Sequence, residues 1–132
     1  MEPPDLSGIH VLIVDHDTEH IRRLDTELSR RGAHTRTATS LAAARRTLGE
    51  EGADIVITEL WLRDGPGTEL LRSIREEETR VGRRCIVVAV ALLTIGHPAV
   101  RRAGFDGFFA KAAPIGDLLI ATEALISVYA KR

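Results

Sequence analysis

The side chains with the clearest chemical potential stand in three places that are far apart in the sequence. Asp15, His16 and Asp17 follow one apolar run, Glu59 ends another, and Lys111 ends a third. Carboxylate oxygens are the ligands that a hard cation such as magnesium prefers, whereas an imidazole suits zinc, copper or nickel better. An ammonium group nearby would pair with the carboxylates or with a bound phosphoryl group. These residue types therefore predict a site for a cation or a phosphoryl group.

The residues share one location only if the chain folds as alternating strands and helices. The runs predicted as strands are residues 9–14, 33–38, 53–60, 85–93 and 105–110, and a helix-period segment follows each, the last over 115–130. Strict alternation implies a parallel sheet with right-handed crossovers and helices on both faces. We expect a flavodoxin-like (βα)5 fold with strand order 2-1-3-4-5. In such sheets the functional site lies beyond the carboxyl ends of the strands.

Each of these residues also has a purely structural interpretation. Asp15 and Asp17 would stabilise the first helix by about 0.5–2 kcal/mol if they only capped it. Lys111, taken alone, is typical of a solvated charge at a strand end. Glu59 is harder to explain in this way, because a carboxylate at the end of an apolar strand needs a partner or water.

Composition limits the classes of function. The chain of 132 residues fits a single domain with a core over about 8–130, and its net charge of −1 gives no reason to expect nucleic acid or an anionic membrane as a partner. The single cysteine, Cys85, cannot form an internal disulfide, so a cytoplasmic location is expected. No apolar run is long enough to span a membrane. His10 and His34 receive no predicted role.

The loop after the first strand argues against a nucleotide or flavin site. A phosphate-binding loop needs glycines and free amides at a helix N-terminus, and acidic residues stand there instead. A small flavodoxin-like FMN protein is therefore the least favoured alternative. Because no nucleophile, base and orienting group can be selected together, the sequence predicts no catalytic residue and no enzymatic activity.

Four segments carry a family resemblance through their order and spacing. They are VLIVD at 11–15, ADIVITEL at 53–60, GTELLRSIR at 67–75 and AGFDGFFAK at 103–111. Together they resemble the CheY-like receiver domains of bacterial two-component response regulators, over nearly the whole chain. The resemblance implies a signalling module that contacts other proteins, either as a complete protein or as a domain of a longer regulator.

The resemblance also implies positions for the phosphoryl-transfer residues. Receivers hold magnesium with an acidic pair after the first strand, and here Asp15 matches the first acid while His16 replaces the second. They accept a phosphoryl group on an aspartate after the third strand, where this chain has Glu59. They pair that group with a lysine after the fifth strand, which corresponds to Lys111.

Two further positions concern the response to phosphorylation. A serine or threonine after the fourth strand follows the phosphoryl group in receivers, and Val90 stands there unless the register shifts to Thr94. An aromatic residue in the fifth strand turns inward, and Phe108 occupies that position. Ala112 replaces the proline that usually follows the lysine.

These departures predict a pseudo-receiver that keeps the fold without the usual phosphorylation. His16 removes an oxygen ligand, so magnesium binding is weakened. Glu59 is longer than aspartate by a methylene, which displaces its carboxylate by roughly an ångström, and in-line transfer tolerates such misplacement badly. Its longer reach could instead bring it to Lys111, in imitation of a phosphorylated aspartate. The alternative is a working receiver that is phosphorylated on Glu59, on a neighbouring acid or on His16.

The final helix predicts where a partner binds. One stripe at helical spacing is expected to face the sheet, and it comprises Leu118, Leu119, Thr122, Leu125, Ile126 and Tyr129. The other side carries Ile120, Ala121, Ala124 and Val128, where a solvated helix would carry charges. Adjacent exposed apolar residues mark interaction sites. We therefore expect a homodimer or protein contact through the fourth helix, fifth strand and fifth helix.

Overall fold

The structure, a computed structural model, describes residues 5–92 and 97–130. Its elements are β1 (His10–Val14), α1 (Thr18–Arg30), β2 (His34–Ala38), α2 (Leu41–Glu50), β3 (Ile55–Glu59), β4 (Trp61–Leu62), β5 (Gly65–Pro66), α3 (Gly67–Val81), β6 (Ile86–Ala91), α4 (His97–Ala103), β7 (Gly107–Ala110) and α5 (Ile115–Ala130). Among these described helices, none is long and apolar enough to cross a membrane.

Five of the strands form one parallel sheet in the order β2-β1-β3-β6-β7. The predicted order is thereby confirmed, since β6 and β7 are the fourth and fifth strands of this sheet. The last strand starts two residues later than expected, at Gly107 rather than Phe105. Asp106 precedes it and turns its carboxylate onto the backbone N–H of Val87, at 2.8 Å.

The core lies on both faces of the sheet because the central strands are apolar at nearly every position. In β1, Leu12 and Val14 belong to the cluster that packs under α2 and α3, whereas Val11 and Ile13 belong to the cluster under α1 and α5. Neighbouring residues of a strand point to opposite faces. A strand buried in this way has a nearly continuous apolar sequence. This is the case throughout β6, after the first residue of β1, and before the last two residues of β3.

The segment after β3 folds back as a short hairpin of β4 and β5, which the sequence did not predict. At its tip, the Asp64 carboxylate accepts hydrogen bonds from the backbone N–H groups of Leu41 and Ala42, at 2.8 and 3.0 Å, and so caps α2. Gly67 ends the hairpin so close to β3 that an added Cβ would lie 2.7 Å from the Glu59 carbonyl oxygen. The close approach of Gly67 therefore restricts the backbone at Glu59.

A buried carboxylate ties three elements together at the amino edge of the sheet. Asp106 accepts from Arg75 at 2.9 Å and from the Tyr129 hydroxyl at 2.8 Å, and it also pairs with Arg84. Burial alone would raise the pKa of the Asp106 carboxyl, but these hydrogen bonds and that from Val87 hold the pKa below its ordinary value. The cluster joins α3 and α5 to the start of β7.

Candidate functional site

Lys111 is the centre of the site at the carboxyl edge of the sheet. It directly follows β7, and its backbone N–H donates to the Ala91 carbonyl at 2.8 Å. Its Nζ lies 3.0 Å from Asp15 Oδ1 and 2.7 Å from Glu59 Oε2. Only 7% of the side chain is exposed. The ends of β1, β3 and β7 therefore bring together the three charged residues that the sequence placed there.

Asp15 is the more fully bonded of the two carboxylates. Its Oδ1 accepts from the backbone N–H of Asp17 at 2.9 Å and from Lys111, and its Oδ2 accepts from His20 Nδ1 at 2.9 Å. Burial alone would raise the pKa of the Asp15 carboxyl, but these hydrogen bonds outweigh burial and lower the pKa. Asp15 is therefore a carboxylate at neutral pH, with no oxygen left free of a partner.

Lys111 keeps its charge for the complementary reason. Burial alone would lower the pKa of the Lys111 ammonium, but its contacts with Glu59 and Asp15 raise the pKa overall. The ammonium therefore stays protonated at neutral pH while almost covered. A buried cation between two carboxylates is a stable arrangement only while all partners remain in place.

Glu59 is buried but incompletely satisfied. Its Oε1 accepts from the backbone N–H of Trp61 at 3.2 Å. Its Oε2 lies 2.7 Å from Lys111 Nζ, in a buried ion pair that is poorly aligned for a hydrogen bond. The contact with Lys111 is the one that the longer side chain was expected to allow.

His20 is the residue of the site that the sequence analysis missed. It is the third residue of α1, it is 6% exposed, and its imidazole is the partner of Asp15 Oδ2. Its place in the sequence, in the first turn of the helix that follows β1, could have indicated this contact. A helix that starts just beyond a strand end places its first turn beside that end, and His20 stands in this turn. Its role is to hold the Asp15 carboxylate in position for Lys111.

Asp17 has the structural role that the sequence allowed for it. Its side chain accepts from the backbone N–H groups of Glu19 and His20, at 3.1 and 3.2 Å, as the N-cap of α1. Its Oδ2 lies 4.0 Å from Lys111 Nζ. His16 stands beside it at the rim, with 35% of its side chain exposed and its Nδ1 3.9 Å from Asp15 Oδ1.

The donor set fits magnesium poorly. The predicted metal set is Asp15, His16 and Asp17, yet the Asp15 oxygens already accept hydrogen bonds and Asp17 caps α1. His16 offers a nitrogen where magnesium needs an oxygen. An ion in this pocket would have to displace Lys111 from Asp15.

Of the two residues assigned to the response, Val90 lies on β6, the strand next to Glu59, and Phe108 lies one strand further away, on β7. Val90 pairs in register with Glu59, is 2% exposed, and packs in the apolar cluster under α1 and α5. Its side chain brings no hydroxyl to the pocket. Phe108 is half-buried and packs against the opposite cluster, under α2 and α3. Thr94, the other candidate for the hydroxyl position, lies outside the described residues.

The final helix has the two faces that the sequence predicted. Leu118, Leu119 and Thr122 are buried against the sheet. On the other side, Ile120 is 46% and Val128 52% exposed. Ala124 is also exposed, whereas Ala121 is half-buried. We call Ile120, Ala121, Ala124 and Val128 the α5 patch.

Known proteins with related sequences share this organisation. The family model for the response regulator receiver domain matches residues 11–123. The chain is 30% identical over 125 residues to the transcriptional regulatory protein GltR of Pseudomonas aeruginosa, covering 91% of this chain and 50% of GltR. It is 32% identical over 121 residues to the response regulator protein PilR of the same species, covering 89% of this chain and 26% of PilR. The chain thus spans half or less of these relatives.

Solved structures agree with the fold. A two-component response regulator from Clostridium difficile superposes with a TM-score of 0.81 at 21% identity, covering 91% of this chain and 97% of that one. The receiver domain of the Francisella response regulator 1452 gives a TM-score of 0.80 at 18% identity, covering 92% and 99%. With the fold, the acidic strand end at Asp15 and the lysine at position 111, the family match leads to one conclusion: the chain belongs to the response regulator receiver domain family of two-component systems.

Proposed function

We propose that this chain is a pseudo-receiver, a cytoplasmic signalling module that acts by protein contact without phosphorylation of the usual kind. One observation carries the proposal. The Glu59 carboxylate, at the phosphoacceptor position, already lies 2.7 Å from the ammonium of Lys111. The lysine that would pair with an incoming phosphoryl group is therefore neutralised by two side chains of the protein itself, Glu59 and Asp15.

The neighbouring residues support the same interpretation. Phosphoryl transfer depends on positioning and on the neutralisation of charge that develops on the phosphoryl oxygens. His16 brings no oxygen ligand for the metal that would neutralise this charge, and buried Val90 brings no hydroxyl that would follow the phosphoryl group. With Glu59 at the phosphoacceptor position, three of the groups that phosphoryl transfer and the response to it require are thus replaced at one site.

The occupied pocket also suggests how the module signals. Because Lys111 is already paired with Glu59 and Asp15, we infer that the carboxyl edge keeps one arrangement rather than two that alternate with phosphorylation. A population shift needs a ligand that distinguishes two states. We therefore propose a fixed signalling surface in preference to a complete imitation of the phosphorylated state, since Val90 lacks the hydroxyl contact.

The only tryptophan of the chain is a natural reporter for this proposal. Trp61 is 67% exposed, and its backbone N–H donates to Glu59. We expect that magnesium with beryllofluoride, an analogue of the phosphoryl group, leaves the fluorescence of the wild type unchanged. The double variant His16→Asp with Glu59→Asp restores both acids and should respond in a saturable way. A saturable response of the wild type over the same concentrations would contradict the proposal.

A receiver with unusual chemistry is the second candidate. The observation that favours it is the position of His16, whose imidazole is partly exposed beside the buried Asp15 carboxylate. An accessible imidazole next to a carboxylate is a competent nucleophile. In this case the phosphoryl group would be carried at the rim of the pocket rather than on Glu59.

The α5 patch is the proposed contact surface, with a second copy of the chain or another protein as partner. Its two large side chains, Ile120 and Val128, are each about half exposed on a helix with few charges. We expect a dimer by light scattering at high protein concentration, and a shift to monomer for Ile120→Glu. The matched control is Val81→Glu on α3, which changes another exposed aliphatic residue. A wild-type monomer, or equal behaviour of the two variants, would contradict a dimer through this patch.

A further inference from the structure

Two histidines lie side by side at the amino edge of the sheet, at the opposite end of β1 from Asp15. His10 is the first residue of β1 and His34 the first residue of β2, and the two are register partners in the parallel pair. Register partners on adjacent parallel strands are about 4.8 Å apart and point to the same face. The two imidazole centroids are accordingly 4.7 Å apart, with their planes tilted by 51°.

A carboxylate from a third element completes the cluster. Glu51 follows the last residue of α2 in extended conformation, and its Oε1 lies 3.2 Å from His10 Nδ1. One donor atom from each of His10, His34 and Glu51 lies within 4.8 Å of the other two. A tetrahedral ion with bonds of about 2.0–2.1 Å needs its donor atoms roughly 3.4 Å apart. Side-chain rotations that move the donor atoms by about an ångström would therefore complete the site.

The donor types select the class of ion. Two imidazole nitrogens and one carboxylate oxygen suit zinc, cobalt, nickel or copper, whereas magnesium and calcium require oxygen ligands throughout. His10 and Glu51 keep 42% and 48% of their side chains exposed, so the ion can enter and can retain a water ligand. The side chains are therefore partly exposed as well as close together, and the His10 Nδ1 atom that faces Glu51 is itself covered and has no hydrogen-bond partner.

A neighbouring arginine orients the carboxylate without blocking it. Arg36 Nη1 lies 3.3 Å from Glu51 Oε2, the oxygen that faces away from His10. The guanidinium is in turn balanced by Glu50, at 3.6 Å. Partners of this kind fix the ligand that faces the metal. Glu51 Oε1 thus stays directed at the imidazoles.

We propose that His10, His34 and Glu51 form a binding site for a transition-metal ion of the zinc class, separate from the pocket around Lys111. The bound ion joins the starts of β1 and β2 to the end of α2. The inference is independent of whether Glu59 is phosphorylated, because the two sites lie at opposite edges of the sheet.

The test is a titration of the untagged protein with Co²⁺, whose visible absorption reports its coordination, followed by displacement with Zn²⁺. We expect one site per chain, and a loss of affinity of roughly tenfold or more in His34→Ala and in Glu51→Gln. His16→Ala is the matched control, since it removes an exposed histidine at the other edge. Circular dichroism confirms that the variants, all at exposed or partly exposed positions, remain folded.

Three results would overturn the proposal. The first is a wild type that does not take up Co²⁺ or Zn²⁺. The second is undiminished affinity in both His34→Ala and Glu51→Gln. The third is loss of the signal in His16→Ala with retention in the other two variants, which would place the ion at the Lys111 pocket instead.

Discussion

Two buried acidic side chains at opposite edges of the sheet differ in how well they are satisfied. Asp106, at the amino edge, receives hydrogen bonds on both oxygens from Arg75, Tyr129 and the Val87 backbone, and pairs with Arg84. Glu59, at the carboxyl edge, has one hydrogen bond on Oε1 and only an ion pair on Oε2. Buried polar groups in native proteins are nearly always hydrogen-bonded, so Asp106 fits a structural role, whereas Glu59, with one aligned hydrogen bond and one ion pair, is the carboxylate whose contacts need an explanation.

The largest effect is expected at the fully satisfied acid. Asp106→Ala removes the acceptor of the Val87 N–H and of the Tyr129 hydroxyl and one charged partner of Arg75 and of Arg84. We expect a loss of about 4 kcal/mol in the free energy of unfolding, measured with urea. Glu77→Ala, which removes an exposed partner of Arg80, is the control and should leave the midpoint unchanged. Similar midpoints for the two variants would show that the Asp106 cluster does not hold α3 and α5 to the sheet.

A smaller effect is expected at the site. Lys111→Met leaves Asp15 and Glu59 facing each other without a cation, and we expect a loss of about 2–3 kcal/mol in the free energy of unfolding, because the rim admits water. Adding Glu59→Gln to this variant removes one of the two charges and should restore part of the loss. If Lys111→Met is as stable as the wild type, the ion pair with Glu59 does not hold the pocket closed.

The smallest effect appears only at extremes of pH. The pKa values of Asp15 and Asp106 are lowered in the folded protein. Their contribution to stability is therefore complete at pH values above the ordinary pKa of 3.8, and it is lost as the pH falls through the lower folded-state pKa values. The raised pKa of Lys111 means that its contribution is complete below 10.5 and is lost as the pH rises above that value. We expect Lys111→Met to lack this alkaline loss. An unchanged alkaline profile would contradict the pairing.

The sequence predicted the sheet well because a strand that is buried on both faces consists mostly of apolar residues, and such a run can be recognised in the sequence. It also located the site, since the strand ends of a parallel sheet share one edge. It did not predict the hairpin at Trp61–Leu62 and Gly65–Pro66, whose strands of two residues are too short to have a pattern. Side-chain partners such as His20 with Asp15 depend on helix placement, which periodicity does not specify.

The cluster around Asp106 could not be predicted from the sequence, for a related reason. Arg75, Arg84 and Tyr129 are spread over more than fifty residues. The sequence gives no sign that the two arginines meet Asp106, and it indicates for Tyr129 only that the side chain faces the sheet. They become neighbours only because α3 and α5, which pack on opposite faces of the sheet, both reach Asp106 at the start of the edge strand β7. The metal ligands His10, His34 and Glu51 are brought together in the same way, by strand register and the end of α2.

The central claim is that this receiver-like site, with Glu59 paired to Lys111 and His16 in place of an acid, is not phosphorylated in the usual way. The most direct measurement is intact mass after incubation with magnesium and acetyl phosphate, for the wild type and for His16→Asp with Glu59→Asp. We predict that the wild type gains no phosphoryl group while the double variant gains one. A labelled wild type would contradict the claim, and the position of its label would show whether Glu59, a neighbouring acid or His16 is the acceptor.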